Sequence, residues 1–375
     1  MRGMLPGPDF AIAGRRCSAF RACGIAGYLL ALALASILAA HAGLRLGVVA
    51  VIGALAPPVF FAVAMATKIV TGEERIVYYH HEIAFLAAAA LLLGGMGEPR
   101  LPYLDVAALG LGGFLASGRF GCLLAGCCHG RPHPWGLRYG WAHVAAGYPA
   151  SWAGIRLFPV QAVEALWVLG VVASGAAMMW QGAAPGSAFA WYVAAYGLGR
   201  FALEFARGDA ARRYWLGFSE AQWISLVLGA GVAVLELRGD LALHRSHIAA
   251  AVLVAAGMAF TTVWRRFAGA GRITLLYPAH VNELACGVAL VRHRRAAGIR
   301  PLRTSLGIAL SGGEIVQDGT RIRHYSFSLP GASDEQSARI LGRVLARLDG
   351  GEGARLIGGT DGVFHLVIGA EAGKI

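Results

Sequence analysis

The chain has 375 residues, of which 57% are hydrophobic and only 14% charged. Soluble proteins carry about a quarter of their residues charged, so an ordinary water-soluble fold is excluded, and the length suits several bilayer spans of about 20 residues each plus one small domain. The formal net charge of +12 is almost wholly arginine, Lys68 and Lys374 being the only lysines; basic loops beside apolar spans attract anionic lipid headgroups, and no nucleic-acid partner is expected.

In chain order, Arg2, Arg15, Arg16 and Arg21 precede an apolar run from Ile25 to Ala40, followed by a small-residue stretch at Ala39–Ala42. The pattern is that of a signal peptide, but the run is longer than the roughly 7–15 residues of a signal h-region, so a retained first span is expected. Further apolar windows fall at about 46–68, 80–97, 103–124, 158–180, 186–206, 219–237 and 247–264. The expected fold is therefore an all-α polytopic membrane protein with about seven to eight transmembrane helices. Pro57 and Pro58 should kink the second span, which lipid tolerates where neighbours satisfy the freed carbonyls. Small residues crowd the fourth (Gly110, Gly112, Gly113, Ala116, Ser117, Gly118, Gly121), allowing close approach of a helix or a headgroup. Between the fourth and fifth spans, the density of Trp135, Tyr139, Trp141, Tyr148 and Trp152 suggests a segment at headgroup level.

After Trp264-Arg265-Arg266 charges return, and the chain divides into residues 1–267, the helical membrane part, and 268–375, a small α+β domain. Ile273–Leu276 reads as a strand, Ala279–Arg295 as a helix, Ser305–Ala309 and Arg323–Ser328 as strands around a Gly-rich turn. Asp334–Leu348 reads as a helix with Ser333 as N-cap, and Val363–Ile368 as a last strand. That order predicts a ferredoxin-like split βαβ sandwich.

Arginine within apolar text is costly and points to function. Arg119, Arg200 and Arg207 qualify, each offering a planar fork suited to phosphate oxygens. Arg200 and Glu204 stand at i and i+4 and can pair, and Asp209 is the evident partner of Arg207. His80, His81 and Glu82 open the third span, where an imidazole could serve as general base. Six cysteines do not make a disulfide framework, but Cys122, Cys127 and Cys128 crowd together beside His129. Three readings of that cluster stand: metal ligands, a reactive thiol activated by His129 and nearby arginines, or inert packing. Because adjacent cysteines seldom both bind one ion, no metal and no cofactor is assigned.

Taken in order, GRFGCLLAGCCHGR, FPVQAVEA, YGLGRFALEFARGD and FSEAQWISL resemble the motifs of the prolipoprotein diacylglyceryl transferases. The family's G-R-x-G-N, N-G-E and G-R run is matched without a gap at Gly118, Arg119, Gly121, Gly126, Gly130 and Arg131. H-P-S-Q-L-Y-E is met by Pro159, Gln161 and Glu164. The third motif is met by Tyr196, Gly197, Leu198, Arg200, Phe201, Glu204, Phe205 and Arg207, and the last, a G-Q-W-like stretch, by Gln222. The resemblance covers about residues 78–238. Departures are Cys122 and Ala125 in place of asparagines, Cys127 in place of Glu, Phe158 in place of His, His80-His81-Glu82 in place of a His-Gly-Gly stretch, and Asp209 one position early.

The resemblance implies transfer of a diacylglyceryl group from phosphatidylglycerol, or another anionic phospholipid, to a cysteine thiol of a lipoprotein precursor peptide in the bacterial cytoplasmic (inner) membrane. It implies Arg119 and Arg207 as the clamp on the departing phosphate and His80 or His81 as the base. Gly118, Gly121, Gly126, Arg131, Gln161, Glu164, Tyr196, Arg200 and Glu204 are implied to line the substrate site. Two other readings are carried: a lipid-binding scaffold whose transferase site has decayed, motivated by the departures, and a thiol-redox or metal-binding membrane protein built on Cys122, Cys127, Cys128 and His129.

Overall fold

The computed structural model describes residues 4–12, 15–72, 77–210, 212–292, 301–317, 320–329, 335–351, 353–360 and 362–369. A hairpin of β1 (Asp9–Ile12) and β2 (Arg15–Ser18) leads into α1 (Ala19–His41), α2 (Leu46–Thr71), α3 (Tyr78–Gly95) and α4 (Arg100–Ala125). A connection carrying β3 (Pro132–Leu137) and the short α5 (Trp141–Ala145) follows, then α6 (Val160–Trp180) and α7 (Ser187–Glu204). Strands β4 (Tyr214–Trp215) and β5 (Phe218–Ser219) precede α8 (Glu220–Leu237) and α9 (Arg245–Ala268). Each apolar window is thus a helix, and six of the helices, α1, α2, α4, α6, α8 and α9, are long and apolar enough to cross a membrane. Exposed Leu29, Leu30, Phe61, Ile69, Leu91, Phe260 and Phe267 give the bundle an apolar coat suited to lipid.

α4 is the central helix, the most buried of the six. Its small residues permit that position: an added Cβ at Gly110 would stand 3.1 Å from the carbonyl oxygen of Ala31, and one at Gly121 3.0 Å from Cys23 Cβ. The Ser117 hydroxyl closes the α1–α4 seam by donating to the carbonyl of Cys23 at 2.7 Å. α2 runs unbroken through Pro57 and Pro58. Proline at position 57 denies the carbonyl of Gly53 its intrahelical partner, and the Tyr28 hydroxyl of α1 donates to that oxygen at 3.1 Å. Asp105 of α4 accepts from the backbone N–H groups of Gly186 and Phe189, both at 2.7 Å, and so caps α7 from another helix.

The tail departs from the sequence expectation. Ile273–Leu276 is not a strand: α10 (Ala270–Thr274), separated from α9 by Gly269 at φ 84° and ψ 118°, runs through its first half. After α11 (Pro278–Arg292) come β6 (Leu302–Arg303), β7 (Ala309–Gln317), β8 (Thr320–Ser328), α12 (Glu335–Asp349), β9 (Arg355–Gly358) and β10 (Val363–Ile368). The five strands form one antiparallel sheet in the order β6-β7-β8-β10-β9. This corrects the ferredoxin-like expectation, because the first β of the β-α-β-β-α-β order is helical. Ser333, expected to cap α12, and residues 293–295, expected to end α11, lie outside the described residues.

The tail does not stand apart. Leu284, Val288, Leu310, Tyr325, Phe327, Leu341, Leu345 and Phe364 share one core with Tyr139, Tyr148, Trp152, Ile155 and Leu157 of the α4–α6 connection. Trp152 Nε1 donates to Asn282 Oδ1 at 2.7 Å, and Tyr214 stacks on Tyr277 with centroids 4.7 Å apart. Leu5 N–H bonds the carbonyl of Arg138 at 3.1 Å. The N-terminal segment, the α4–α6 and α7–α8 connections and the tail therefore meet at one end of the bundle.

Candidate functional site

At that end the C-terminal turns of α4 and α7 meet the N-terminal turns of α6. Cations are favoured at helix C-termini and anions at N-termini: Glu164 enters from α6, Arg119 from α4 and Arg200 from α7, Arg207 lies just beyond α7, and Glu204, an anion at the end of α7, is held by its arginine partners. Glu164 is fully buried and is the hub. Its Oε2 lies 3.0 Å from Arg119 Nε and 3.5 Å from Arg207 Nη1; its Oε1 lies 3.4 Å from Arg200 Nη1 and 3.5 Å from the Tyr196 hydroxyl. Arg119 Nε is near its carboxylate without pointing at it, and finds no hydrogen-bond acceptor among the described residues.

An outer ring holds the arginines. Arg200 pairs with Glu204 at 2.9 Å, as their i,i+4 spacing implies, and Arg207 Nε bonds Asp209 at 2.9 Å. Arg212, which the sequence did not single out, bonds Asp209 at 3.0 Å and also pairs with Glu204. Burial alone would raise the Asp209 carboxyl, but the Arg207 and Arg212 guanidiniums hold it down to about 2. Arg131 Nε donates to the carbonyl of Arg207 at 3.2 Å. Five guanidiniums, of Arg119, Arg131, Arg200, Arg207 and Arg212, thus face three carboxylates, of Glu164, Glu204 and Asp209. The surplus positive charge suits an anion.

The backbone of the α4–α6 connection fixes Arg207. Gly208 N–H bonds the carbonyl of His129, and Arg131 N–H that of Ala206, both at 2.9 Å. A Cβ at Gly130 would stand 2.2 Å from the carbonyl oxygen of Phe158, a backbone atom that cannot step aside. Gly130→Ala is therefore expected to cost roughly 1–3 kcal/mol and to displace Arg207; thermal unfolding in detergent reads the first effect and loss of turnover the second. Gln161 also serves this connection, its Nε2 donating to the carbonyl of Cys127 at 2.9 Å. Gln222 makes a capping box with Ser219 at the start of α8 and donates to the carbonyl of Phe201 at 3.3 Å, which ties α8 to α7.

Gly118, Gly121 and Gly126 shape the end of α4: Gly121 admits α1, Gly126 adopts a φ of 85° to end the helix, and Gly118 faces open space. The thiols of Cys122, Cys127 and Cys128 all lie within 4.8 Å of one another. Hydrogen bonds from Cys122 and Cys127, then the Arg207 and Arg119 guanidiniums, hold the Cys128 thiol well below the ordinary thiol range. His129 is buried against Trp152, its Nδ1–H given to the carbonyl of Gly130 at 2.9 Å, and burial lowers its pKa.

His80 and His81 stand apart from this cluster, with no contact to Arg119 or Arg207 among the described residues. His80 Nε2 bonds the Glu220 carboxylate at 2.7 Å on the surface. His81 is buried against Phe60; its Nδ1–H goes to the carbonyl of Val77 at 2.9 Å, and its Nε2 has no partner among the described residues. Glu82 is buried beside Tyr78 and Tyr192, whose hydroxyls lie 3.1 Å apart.

A phosphatidylglycerol–prolipoprotein diacylglyceryl transferase 2 of Clostridium perfringens is 30% identical over 141 residues, covering 36% of this chain and 51% of that protein. The corresponding transferase of Dehalococcoides mccartyi is 34% identical over 129 residues, 33% of this chain and 46% of its own length. A transferase 2 of Streptomyces coelicolor is 34% identical over 147 residues, 36% and 44%. The chain spans about half the length of these curated relatives. The family model for prolipoprotein diacylglyceryl transferases matches residues 21–237, from α1 to the last residue of α8, and the chain belongs to that family.

Proposed function

We propose that the protein moves a diacylglyceryl group from phosphatidylglycerol, or another anionic phospholipid, to the cysteine thiol of a lipoprotein precursor. The observation that carries this is the convergence of Arg119, Arg200 and Arg207 on Glu164 at one end of an apolar bundle, with guanidinium in excess of carboxylate. In the reaction the thiol sulfur bonds the terminal glycerol carbon, the bond from that carbon to the phosphate oxygen breaks, and glycerol phosphate leaves. The carbon is unactivated, so the barrier falls chiefly through stabilising negative charge on the departing phosphate. Guanidiniums suit this because they cannot deprotonate and their forks match phosphate oxygens. Gly118, Gly121, Gly126, Arg131, Gln161, Tyr196 and Glu204 shape and brace the site around that clamp.

The thiol proton goes to a histidine. Of the two candidates His81 fits better: with its Nδ1–H committed to Val77, Nε2 carries an unpartnered lone pair, buried at the start of α3, which the thiol must approach there. His81→Ala is expected to lower kcat by about 10²–10⁴-fold with little change in KM for the lipid, and His80→Ala to leave most activity. The reverse ranking would move the base to the His80–Glu220 pair.

We place the protein in the bacterial inner membrane with eight crossings, the upper end of the expected seven to eight, α3 and α7 joining the six more apolar helices. The division at about residue 268 is retained, with the tail docked on the α4–α6 connection. The clamp end faces outward, where exported precursors arrive, which puts both ends of the chain on that side. A C-terminal tag should be digested when protease is added to intact spheroplasts; protection of the tag reverses the orientation. The function itself is tested by incubating the protein in vesicles with labelled phosphatidylglycerol and a lipobox peptide. Label in thioether linkage to the peptide cysteine is expected; lipid binding without product would favour a decayed, lipid-binding relative.

A further inference from the structure

We infer that Cys122, Cys127 and Cys128 form a site for a thiophilic divalent cation, zinc, beside the arginine cluster. None of the three is in a disulfide, and their sulfurs lie within 4.8 Å of one another. Zinc–sulfur bonds of about 2.3 Å set tetrahedral thiolates about 3.8 Å apart, a distance reached by small side-chain rotations. The chain is bent to bring this about. Helix α4 ends with Gly126 at φ 85°, and Cys128 then takes φ 55°, a left-handed conformation uncommon outside glycine. The double reversal folds two consecutive side chains back onto Cys122 in the last helical turn. Backbone held in so sparsely populated a region points to a use for the side chain it aims.

Charge and access agree. The Arg119 and Arg207 guanidiniums place positive charge beside Cys128. Three thiolates on one zinc carry a single negative charge, which the surplus guanidinium charge absorbs while leaving a cation for a phosphodiester. Cys122 is buried and Cys127 exposed, so the three sulfurs hold the ion from the protein side and a fourth position opens outward. Three protein ligands and an exchangeable fourth are the layout of sites at which zinc binds water or an incoming thiol. Sulfur ligands select zinc over magnesium or calcium. His129 is not a ligand through Nδ1, which is given to Gly130. The spacing in the sequence argued against this site because two ligands are adjacent; the reversal at Cys128 removes that objection.

The test is metal content of the full chain purified in detergent under reducing conditions. About one zinc per chain is expected by elemental analysis. After chelation, cobalt should restore a thiolate-to-metal charge-transfer band saturating at one equivalent. Cys122→Ser, Cys127→Ser and Cys128→Ser should each lower zinc retention at least about tenfold, with unchanged elution on size exclusion showing that the fold persists. Cys286→Ser, on the exposed face of α11, should leave it unaltered. A wild-type chain with no zinc and no cobalt band, a disulfide between two of the three cysteines, or serine variants that keep full zinc occupancy would each overturn the inference.

Discussion

Glu164→Ala is expected to destabilise the protein by roughly 3–5 kcal/mol, the penalty for leaving buried charges without their partner. The carboxylate is fully buried, and it is the anion shared by Arg119, Arg200 and Arg207. Removing it leaves three guanidiniums repelling one another at the junction of α4, α6 and α7. Thermal unfolding in detergent should show a fall of roughly 5 °C, with reduced yield of folded protein. Glu164→Gln keeps the shape and one acceptor oxygen and should cost less. Adding Arg200→Met to Glu164→Gln removes a repelling cation and should recover part of the loss. Additive losses in that double variant would show that the arginines do not share one carboxylate.

Arg119→Ala and Arg207→Ala are each expected to lower kcat about 10²–10³-fold, with a smaller effect on apparent lipid affinity. The reason is timing: charge on the phosphate grows as the carbon–oxygen bond breaks, so a fixed cation helps the departing group more than the resting lipid. Arg119→Lys should recover little, since an ammonium replaces a two-donor fork with a point charge. Because Arg119 and Arg207 both face Glu164, their effects should not add; the double alanine variant should be little worse than the poorer single one. Each variant needs an unfolding curve beside its turnover, so that a lost clamp is separated from a lost fold.

Much of the bundle is legible in the sequence because lipid turns hydropathy directly into structure. Long apolar runs became α1, α2, α4, α6, α8 and α9 with ends shifted by a few residues. α3 and α7 are less apolar because they carry polar side chains, His80, His81 and Glu82 on one and Arg200 and Glu204 on the other. The tail is harder, since a short apolar run does not choose between strand and helix. Ile273 and Thr274 close the short α10, which follows a break at Gly269, and Leu275 then turns into the shared core. Strand β7 was hidden by Gly312 and Gly313, which break the alternation; a Cβ at Gly312 would meet Tyr325 at 2.8 Å and the carbonyl of His324 at 2.9 Å.

Within the site, local pairs were readable and distant ones were not. The Arg200–Glu204 pair follows from helical spacing, and Arg207–Asp209 from adjacency. Glu164 as the common partner of three arginines joins residues 36 to 45 positions apart on separate helices, which no local pattern encodes. Asp105 capping α7 across 81 residues escaped for the same reason, whereas Arg212, three residues from Asp209, lay within local reach and was passed over. The closeness of three thiols depends on the left-handed turn at Cys128, a conformation that a non-glycine residue does not announce.

The central claim is that the arginines grip an anionic headgroup where the bundle meets water. Native mass spectrometry of the protein in detergent, offered equal phosphatidylglycerol and phosphatidylcholine, tests it most directly. Wild-type protein should retain phosphatidylglycerol selectively, and the Arg119→Ala/Arg207→Ala variant should show a measurably reduced preference while staying folded. Equal retention of the two lipids by the wild type, or an unchanged preference in the double variant, would contradict the account.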